Sequence, residues 1–473
     1  MKKILFMIFS LIAIQVMCVG CDNKDSDSNT NGSGEQESNI YDVAGYEREG
    51  IGKILGVPKG CRAELATGAS GLESIMVDDS EISVPDTDKM DIAYFSPANV
   101  GNSEKKRIAE LLLEKDEGIY ERDISYRRKS DIERDIEYYR NMIELSEEEG
   151  DTAWTAYMEN ELNGLLKQLP NAPEEYPEAG DYSGFEFLGK TEGVEYMLRI
   201  YNGSENGSAS GVLFTYGPYG GYKWLRQNIV SDSVQVYSSK YYDLYSGQMD
   251  NAADISMDEA EDIARDFMAE MGIEDVGVAE AADLIWEYRD YNGNLLLNEA
   301  DGYYFKFLRL VNGVQTYNGN TGSVDNLQFH DKSISIPVEE YIIYIYDNKV
   351  IGAKWNQVIG SITDIEENVK LLSYDEIMEC LNQAAYAYYE RYLTLYKKIK
   401  FNDVRLTYYL IGDADGKYKY IPAWVFSQYD EAADVDNSVN PVQLLVVNAV
   451  DGTVVDLVEN SKALGTCMEK NGQ

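Results

Sequence analysis

Histidine is nearly absent from the chain, with one residue, His330, among 473. A hydrolytic metal site that uses several histidine ligands is therefore excluded. His330 lies in a segment that we predict to be a loop near a strand end, and the chain has no G-x-S-x-G motif that would supply a nucleophilic serine. We interpret His330 as a solvated or hydrogen-bonded loop residue rather than as a catalytic base.

Basic residues are also scarce. The chain has 41 lysines and arginines against 83 aspartates and glutamates, a formal net charge of -42 at pH 7. Such an acidic chain repels the phosphate backbone of nucleic acids, so a nucleic-acid partner is excluded. We interpret most of the acidic side chains as solvated surface, and no cofactor is predicted.

Cysteine occurs five times, and the spacing of the residues limits their chemistry. Cys61, Cys380 and Cys467 lie far apart, and none of the three belongs to a C-x-x-C motif or to a Cys/His cluster. A structural zinc site is therefore not expected. At most one disulfide can form among these three residues, and the sequence leaves open whether any of them pair.

The N-terminal segment has the pattern of a signal peptide. Lys2 and Lys3 precede an apolar run of roughly 15 residues, which is short for a helix that needs ~20 residues to cross a bilayer. The run ends in Cys18-Val19-Gly20-Cys21, which resembles a bacterial lipobox, although Cys18 occupies the position where leucine is usual. We expect residues 1–20 to be removed and Cys21 to be acylated. The alternative is an ordinary secretory signal with an incidental cysteine.

The segment that follows is predicted to be a lipidated cysteine and flexible spacer over residues 21–45. Residues 22–39 contain no aliphatic or aromatic side chain, so they cannot bury apolar surface. Two acyl chains hold a protein firmly on a membrane, whereas the anionic membrane surface should repel an acidic body. We therefore predict a lipid-anchored protein on the extracytoplasmic face of the cell membrane, with the lipid as its only membrane contact.

Hydrophobic periodicity divides the remaining chain into a helical front and a strand-rich back. Region 46–180 is predicted to be α-rich, with helices over 131–149 and 152–169 that form a helical hairpin across Gly150. Region 181–255 alternates aromatic residues with glycine and serine, which is typical of short strands and loops.

Two units of matching pattern follow, over residues 256–360 and 361–465. Each begins with a capping box, a serine and a glutamate that satisfy the first amides of a helix: Ser256 with Glu259, and Ser373 with Glu376. An apolar stripe at helical spacing and then hairpin signals follow each box. This order predicts an α+β fold, in which an N-terminal helical hairpin region precedes two helix-on-antiparallel-sheet modules.

Short turn motifs locate the predicted hairpins. Asn312-Gly313 and Asp347-Asn348 each separate two predicted strands in the first unit. In the second unit, Asp451-Gly452 is predicted to join strands over 444–447 and 453–458.

Parts of these units resemble a PepSY-type module, namely Asp258-Glu259-Ala260 with Ile263-Ala264, and the closing residues 447–454. The whole mature chain resembles an uncharacterised family of lipoproteins from Gram-positive bacteria, on the segments 83–87, 367–372, 421–424 and 448–452. That family has no assigned activity, so the resemblance implies a location and a PepSY-like fold. PepSY-type modules are associated with exported peptidase propeptides and with regulatory or inhibitory partners, and the resemblance implies a partner of that kind.

Two segments share the first spacing of a calcium-binding loop and are predicted to be turns instead. After Asp413-Ala414-Asp415-Gly416, Lys417 occupies the position of the third oxygen ligand, and the glycine comes too early. After Asp290-Tyr291-Asn292-Gly293-Asn294, Leu295 occupies the position of the required glycine.

Two further loops are candidate ligand sites. The acidic residues of the first have the chemistry of a hard-cation site, and we favour a solvated loop for them: Asp430, Glu431, Asp434 and Asp436, with Asn437. The second, Gly217-Pro218-Tyr219-Gly220-Gly221-Tyr222-Lys223-Trp224, looks like an exposed aromatic loop that would stack on sugars or partner side chains, and we favour a structural turn. Cys21 is thus the one predicted functional residue, as the site of lipid attachment.

The whole pattern favours a non-catalytic, membrane-anchored extracytoplasmic lipoprotein that binds or regulates an exported protein or peptide, engaged at a sheet edge. The alternative is an extracellular carboxylate-dependent hydrolase acting on glycans, because the chain has 83 acidic residues and 38 tyrosines. Two carboxyl groups in one aromatic-lined cleft would favour the hydrolase, and the absence of such a cleft would argue against it.

Overall fold

The computed structural model describes residues 41–42, 48–65, 74–79, 81–123, 125–202, 211–225, 233–239, 249–290, 293–317, 325–328, 332–336, 338–391, 398–412, 418–429, 441–464 and 467–469. The signal peptide, Cys21 and residues 22–39 of the spacer lie outside these ranges. Within them, no helix combines the length and the apolar character that a membrane crossing requires.

Strands hold more of the described residues than helices do. The α-helices of the described ranges are α1 (Gly50–Ile54), α2 (Asn102–Leu112), α3 (Lys129–Glu149), α4 (Thr152–Gln168), α5 (Met257–Glu270), α6 (Tyr374–Arg391) and α7 (Leu457–Ala463). The first strands are β1 (Tyr41–Asp42), β2 (Cys61–Glu64), β3 (Ser74–Asp79), β4 (Ile92–Pro97), β5 (Tyr120–Glu121), β6 (Glu186–Thr191), β7 (Val194–Asn202), β8 (Val212–Pro218), β9 (Ser233–Ser238), β10 (Val276–Arg289) and β11 (Leu295–Val311). The later strands are β12 (Val314–Gln315), β13 (Asp325–Gln328), β14 (Lys332–Ile336), β15 (Glu340–Tyr346), β16 (Lys349–Gln357), β17 (Ile359–Glu366), β18 (Lys398–Phe401), β19 (Asp403–Gly412), β20 (Tyr418–Tyr429), β21 (Pro441–Asn448) and β22 (Cys467–Glu469).

The largest sheet has ten strands in the order β5-β6-β7-β8-β16-β15-β11-β10-β9, with β12 paired to β11. Neighbours in this sheet are antiparallel. A second sheet of five strands has the order β17-β4-β20-β19, with β21 paired to β20. Two small sheets, β1-β2-β3-β18 and β13-β14-β22, complete the described strands, and β18 joins β3 in parallel.

Helix α5 covers one face of the ten-stranded sheet. It starts after Ser256, whose side chain accepts from the amide of Glu259 while the Glu259 carboxylate accepts from the Ser256 amide, so this predicted capping box is confirmed. Its buried stripe includes Phe267, which meets the sheet residue Trp355 edge to face with ring centroids 6.4 Å apart. Trp355 in turn stacks on Phe214, and this apolar layer forms one core of the protein.

Helix α6 fills the equivalent place on the five-stranded sheet. The predicted capping box of Ser373 and Glu376 is confirmed at its start, with the Ser373 amide and hydroxyl both donating to the Glu376 carboxylate. Tyr374 packs edge to face on Trp424 of β20, with centroids 5.2 Å apart. Both rings are at most 2% exposed, so this helix closes the second core.

The predicted α+β class, with an N-terminal helical hairpin region ahead of helix-on-sheet modules, is wrong, although the two helices predicted over 131–149 and 152–169 are present as α3 and α4. The described chain is mostly β, and its antiparallel sheets reach ten strands. Region 46–180 contributes strands to three sheets, and α3 and α4 are an excursion between β5 and β6, which pair with each other. The ten-stranded sheet also takes strands from regions 181–255 and 256–360 together. Periodicity misses this arrangement because it reports local patterns, whereas these strand pairs join distant segments.

Two of the predicted turn motifs form hairpin turns in the structure. Asn312-Gly313, with φ of 48° and 80°, joins β11 to β12, and Asp347-Asn348, with φ of 50° and 59°, joins β15 to β16. These two predicted hairpins are confirmed. The strand predicted over 453–458 is wrong, because the side chain of Asp456 accepts from the amide of Glu459 and caps α7.

A buried ion pair lies where the two largest sheets meet. Arg309 Nη2 of β11 donates to Glu339 Oε1 at 2.9 Å and to the Tyr341 hydroxyl at 3.0 Å. Glu339 is 1% exposed, and this burial raises the pKa of its carboxyl group, an effect that Arg309 opposes. Tyr420 belongs to the five-stranded sheet. Burial raises the pKa of Tyr420, and the nearby charge of Glu339 adds to this effect. The ion pair therefore ties β11 to the residue that precedes β15, beside β20.

We expect Glu339→Ala to lower the free energy of unfolding by about 3–5 kcal/mol, because it leaves the Arg309 guanidinium without its buried counter-charge. Urea unfolding at neutral pH measures this loss. The double variant Glu339→Leu with Arg309→Met removes both charges and should lose less than the single variant. A single-variant loss below about 1 kcal/mol would contradict this structural role for the pair.

Candidate binding site

Several predicted site residues lie outside the described residues. They are Cys21, His330, the segment 413–417 and the acidic loop 430–437. Their predicted roles therefore stay predictions. Cys61 and Cys380 are described and do not form a disulfide with each other.

The aromatic loop over 217–224 is turned inward. The Tyr219 hydroxyl donates to Asp131 Oδ2 at 2.9 Å, and Tyr219 is 8% exposed. Tyr222 packs its edge on Trp286, with centroids 6.2 Å apart. These two side chains serve the core, and the loop does not present them to a ligand. Asp290 likewise accepts from the backbone amide of Asn294 at 2.8 Å, as expected for a turn.

A buried charge network at the base of α3 has the residue types of a catalytic centre. Arg128 Nη1 donates to Glu195 Oε1 at 2.7 Å, and Asp131 accepts from the Tyr176 hydroxyl at 2.8 Å. Burial, with help from Asp131, raises the pKa of Tyr176 to about 12. The groups of this network hold one another in place and anchor α3 to the ten-stranded sheet. We therefore interpret the network as structural.

A second buried carboxylate, Glu186, joins strands β6 and β7. Its Oε1 accepts from Arg199 Nε at 2.8 Å and from the Tyr201 hydroxyl at 2.7 Å, and Arg122 contacts its other oxygen. Burial raises the pKa of Glu186, but the hydrogen bonds from Tyr201 and Arg122 outweigh it and hold that pKa below its usual range. Glu186 is thus kept as a structural anion.

One small cleft gathers carboxylates and tyrosines. It has a volume of about 110 Å³ and lies between the segment before α5 and the turn after β15, beside Asp254, Asp301, Asp347, Tyr303 and Tyr346. Pockets that enclose small ligands are usually about 300–1,000 Å³. The cleft is therefore too small to enclose a sugar ring with its neighbours.

The most distinctive exposed element is the edge strand β17. It pairs with β4 on one side, and no other described strand pairs with it. Seven of its eight residues are exposed, and only Ile359 is buried. An edge strand of this kind presents unpaired backbone amides and carbonyls to an extended chain. The Ile365 amide is an exception, because it donates to Asp364 Oδ1 at 2.9 Å.

Two irregularities in the β17–β4 ladder sort its side chains by face. Ile362 pairs with Phe95 and Ile365 pairs with Ala93, although the isoleucines are three residues apart. Paired residues of neighbouring strands share a face, and Phe95 and Ala93 are two residues apart, so both isoleucines lie on one face. They are 41% and 37% exposed and extend an apolar row that continues inward through Phe95 to Tyr418, whose ring centroid lies 6.0 Å from that of Phe95.

The opposite face of β17 is acidic. Asp364 pairs with Tyr94 and Glu366 pairs with Ile92, so both carboxylates lie on the face away from the isoleucines. Lys419 of β20 lies over the Tyr94 ring, 5.8 Å from its centroid. We call the apolar and acidic faces of β17, with its unpaired edge, the β17 edge. It can bind an extended chain through backbone hydrogen bonds, two apolar contacts and two negative charges.

Sequence reasoning missed the β17 edge. Ile362 and Ile365 are spaced by three, which fits neither the two-residue period of a regular strand nor an extended helical stripe. The boundary predicted between residues 360 and 361 cuts this strand near its start. The available signal was the β-branched content of residues 359–366, which hold three isoleucines and one threonine, a composition typical of strands.

The comparisons with known proteins do not identify a family. No family model matches the chain, and no curated protein matches it. A crystal structure of an uncharacterized protein from Eubacterium rectale is similar to 86% of this chain and to 95% of that chain, with 12% sequence identity and a TM-score of 0.37.

We expect Glu186→Gln to weaken the acid dependence of folding. A carboxyl group whose pKa is lower in the folded chain stabilises the fold above its unfolded pKa of about 4.3, and this contribution is lost as the pH falls through the folded pKa. The variant should be less stable at pH 7 and should lose less further stability between pH 5 and pH 3. Urea unfolding at each pH measures both effects.

Glu174→Gln is the matched control, because Glu174 pairs with Lys129 at the surface with 78% of its side chain exposed. Its stability profile should follow that of the unaltered protein. If Glu186→Gln gave the same profile as Glu174→Gln, the buried anion would have no stabilising role.

Proposed function

We propose that the protein is a non-catalytic lipoprotein, anchored through Cys21 to the extracytoplasmic face of the cell membrane, that binds an exported protein or peptide at the β17 edge. The lipobox-like Cys18-Val19-Gly20-Cys21 and the polar residues 22–39 support the anchor. The exposed, unpaired edge of β17 is the observation that carries the binding function.

The binding mode is addition of a strand to the five-stranded sheet. Main-chain hydrogen bonds to the free edge of β17 supply sequence-independent affinity, and side-chain contacts supply selectivity. Ile362 and Ile365 favour a partner with apolar residues on one face. Asp364 and Glu366 favour lysine or arginine on the other face, since opposite charges steer association.

The same features limit pairing between copies of this chain. Irregular register and inward or outward charges are devices that keep edge strands from self-association. Two β17 edges would bring their carboxylates together, and the net charge of -42 adds general repulsion. A basic partner avoids both costs.

The size of the described cleft argues against the hydrolase alternative. The cleft that collects Asp254, Asp301 and Asp347 is about 110 Å³ in volume, which leaves too little room for a glycan subsite. The proposal therefore assigns no catalytic residue.

We expect a short peptide that alternates lysine and valine to bind the full chain and to slow hydrogen exchange of the β17 amides. In the variant Ile362→Ser with Ile365→Ser, the affinity should fall about tenfold, because partial loss of two apolar contacts costs on the order of 1.4 kcal/mol. Titration calorimetry and hydrogen-exchange mass spectrometry are the two measurements.

The matched control replaces two exposed leucines of the β10–β11 hairpin, Leu296→Ser with Leu297→Ser, which are 52% and 42% exposed. This variant should bind the peptide as the unaltered protein does. Peptide binding without slower exchange in β17, or an equal loss of affinity in the control, would count against the β17 edge.

We expect Cys21→Ser to abolish labelling of the protein by a palmitate analogue and to move it from the membrane fraction to the medium. Acylation needs the thiol of the cysteine that becomes the new N-terminus. The variant therefore carries no acyl chain to hold it on the membrane. Cys18→Ser is the matched control and should keep the label. Labelling that survived Cys21→Ser would refute the predicted attachment site.

A further inference from the structure

Helices α3 and α4 form a structural arm of the protein. They pack on each other through a small apolar core that includes Ile132, Ile136 and Leu165. The arm joins the ten-stranded sheet at its base, through the ion pairs of Arg128 and the hydrogen bonds to Asp131. The charge network contacts only the base of the arm. Most described side chains of α3 and α4 beyond the base are exposed or half-buried.

Four aromatic side chains of this arm form two ring pairs, with one exposed and one half-buried ring in each, and we call them the aromatic patch: Tyr138, Tyr139, Trp154 and Tyr157. Tyr138 and Tyr157 are 43% and 51% exposed. Trp154 stacks on Tyr157 with centroids 5.3 Å apart, and Tyr138 meets Tyr139 edge to face at 5.5 Å. Single exposed aromatic residues are ordinary, but a contiguous exposed cluster marks an interaction surface more often than chance.

The two aromatic pairs belong to one surface. Tyr139 of α3 and Leu162 of α4 pack on the same small core, which places Tyr139 beside the part of α4 that holds Tyr157 and Glu161. Consistent with this placement, Glu161 and Tyr157 add to the burial that raises the pKa of Tyr139. Glu161 lies one helical turn after Tyr157, on the same side of α4. The aromatic faces therefore share their surface with a carboxylate.

The arm itself shows the type of contact that such a surface makes. At its base, the guanidinium of Arg128 lies 5.6 Å from the ring centroid of Tyr176, and that of Arg134 lies 4.8 Å from that of Tyr219. Within the described residues, no lysine or arginine lies over a ring of the aromatic patch, and no basic side chain forms an ion pair with Glu161. The patch thus has the chemistry of a cation site without a cation from the described chain.

We propose that the aromatic patch binds lysine or arginine side chains of a basic polypeptide segment. Cation–π contact with Trp154 and Tyr157 and the charge of Glu161 would recognise such a side chain. The helices add a general attraction, because residues 129–168 contain eleven acidic residues and four basic ones. This inference stands apart from the β17 edge, since it rests on different residues and a different kind of contact.

The experiment must separate this local contact from the attraction of any cation to an acidic protein. The probe is a short arginine-rich peptide, and an otherwise identical citrulline peptide lacks its charge. The variant Trp154→Leu with Tyr157→Leu removes the aromatic faces but keeps every charge. Leu166→Ala is the matched control, because Leu166 is 39% exposed on α4 and does not belong to the aromatic patch.

We expect the arginine peptide to bind the full chain and to change its tryptophan fluorescence, with affinity about fivefold to tenfold lower for the aromatic variant. Leu166→Ala should keep the affinity, and Trp154→Leu alone should remove most of the fluorescence change. Circular dichroism confirms that the variants keep their helices. The combined Ile362→Ser and Ile365→Ser variant should bind this probe normally, so failure of the β17 edge and failure of the aromatic patch are distinguishable.

The proposal is overturned if the aromatic variant binds the arginine peptide within twofold of the unaltered protein. It is also overturned if the citrulline peptide binds equally well, because recognition would then not depend on a cation. Displacement of the arginine peptide by a neutral oligosaccharide, without release by added salt, would have the same consequence.

Discussion

The pairing of β8 with β16 holds the described fold together. It aligns Phe214 with Trp355 and joins the front strands of the ten-stranded sheet to strands that lie more than a hundred residues later. Backbone amides buried in such a sheet have to find partners, since an unpaired buried amide is costly. Once β8 and β16 pair, their neighbours extend the sheet outward on both sides, and α5 covers the apolar face that results. The length of the sheet and the position of its core follow from this junction.

Charge is arranged differently inside the protein and on its surface. Several buried ions pair with the opposite sign, as in Arg309 with Glu339 and Arg128 with Glu195. Others are held by hydrogen bonds to neutral groups, as Asp91 is by the side chain of Asn312 and the amide of Asn368. Burying a charge without a partner is very unfavourable, so the ion pairs act as fixed joints between strands or between a helix and a sheet. The excess acidity is left at the surface, where water screens it. This division explains why a chain with 83 acidic residues gathers few of them in any described cleft.

Both proposed contact surfaces lie where the packing of the main sheets ends. At β17 the pairing stops with one ladder, and the strand keeps its outer edge and both faces in solvent. At the arm, α3 and α4 leave the sheet between β5 and β6 and bury a small core between themselves. Each surface combines apolar or aromatic groups with carboxylates, and so each favours basic partners. Under the proposed lipid anchoring, the carboxylates of both surfaces would be repelled by an anionic membrane.

Local features of the fold were predictable from the sequence. Ser256 and Ser373 start helices because a side-chain oxygen next to an amphipathic stretch satisfies amides that the helix leaves free. Asn312-Gly313 makes a hairpin because both residues accept positive φ, which the turn requires. Composition and the N-terminal pattern also predict a lipid-anchored location and argue against nucleic-acid and multi-histidine metal binding, and these stay predictions. All of these depend on interactions within a few residues or on net charge alone.

The tertiary structure decided which strands pair, and through them the class of the fold and the candidate surfaces. Nothing near Ile362 and Ile365 in sequence indicates that they share a face, because that depends on their partners Phe95 and Ala93 and on irregularities in the ladder between them. The sequence favoured a structural turn for the loop of Tyr219 and Tyr222, but only the structure shows that Asp131 and Trp286 are their partners. Helix capping and turn formation are settled by neighbours along the chain, whereas strand register and burial are settled by neighbours in space.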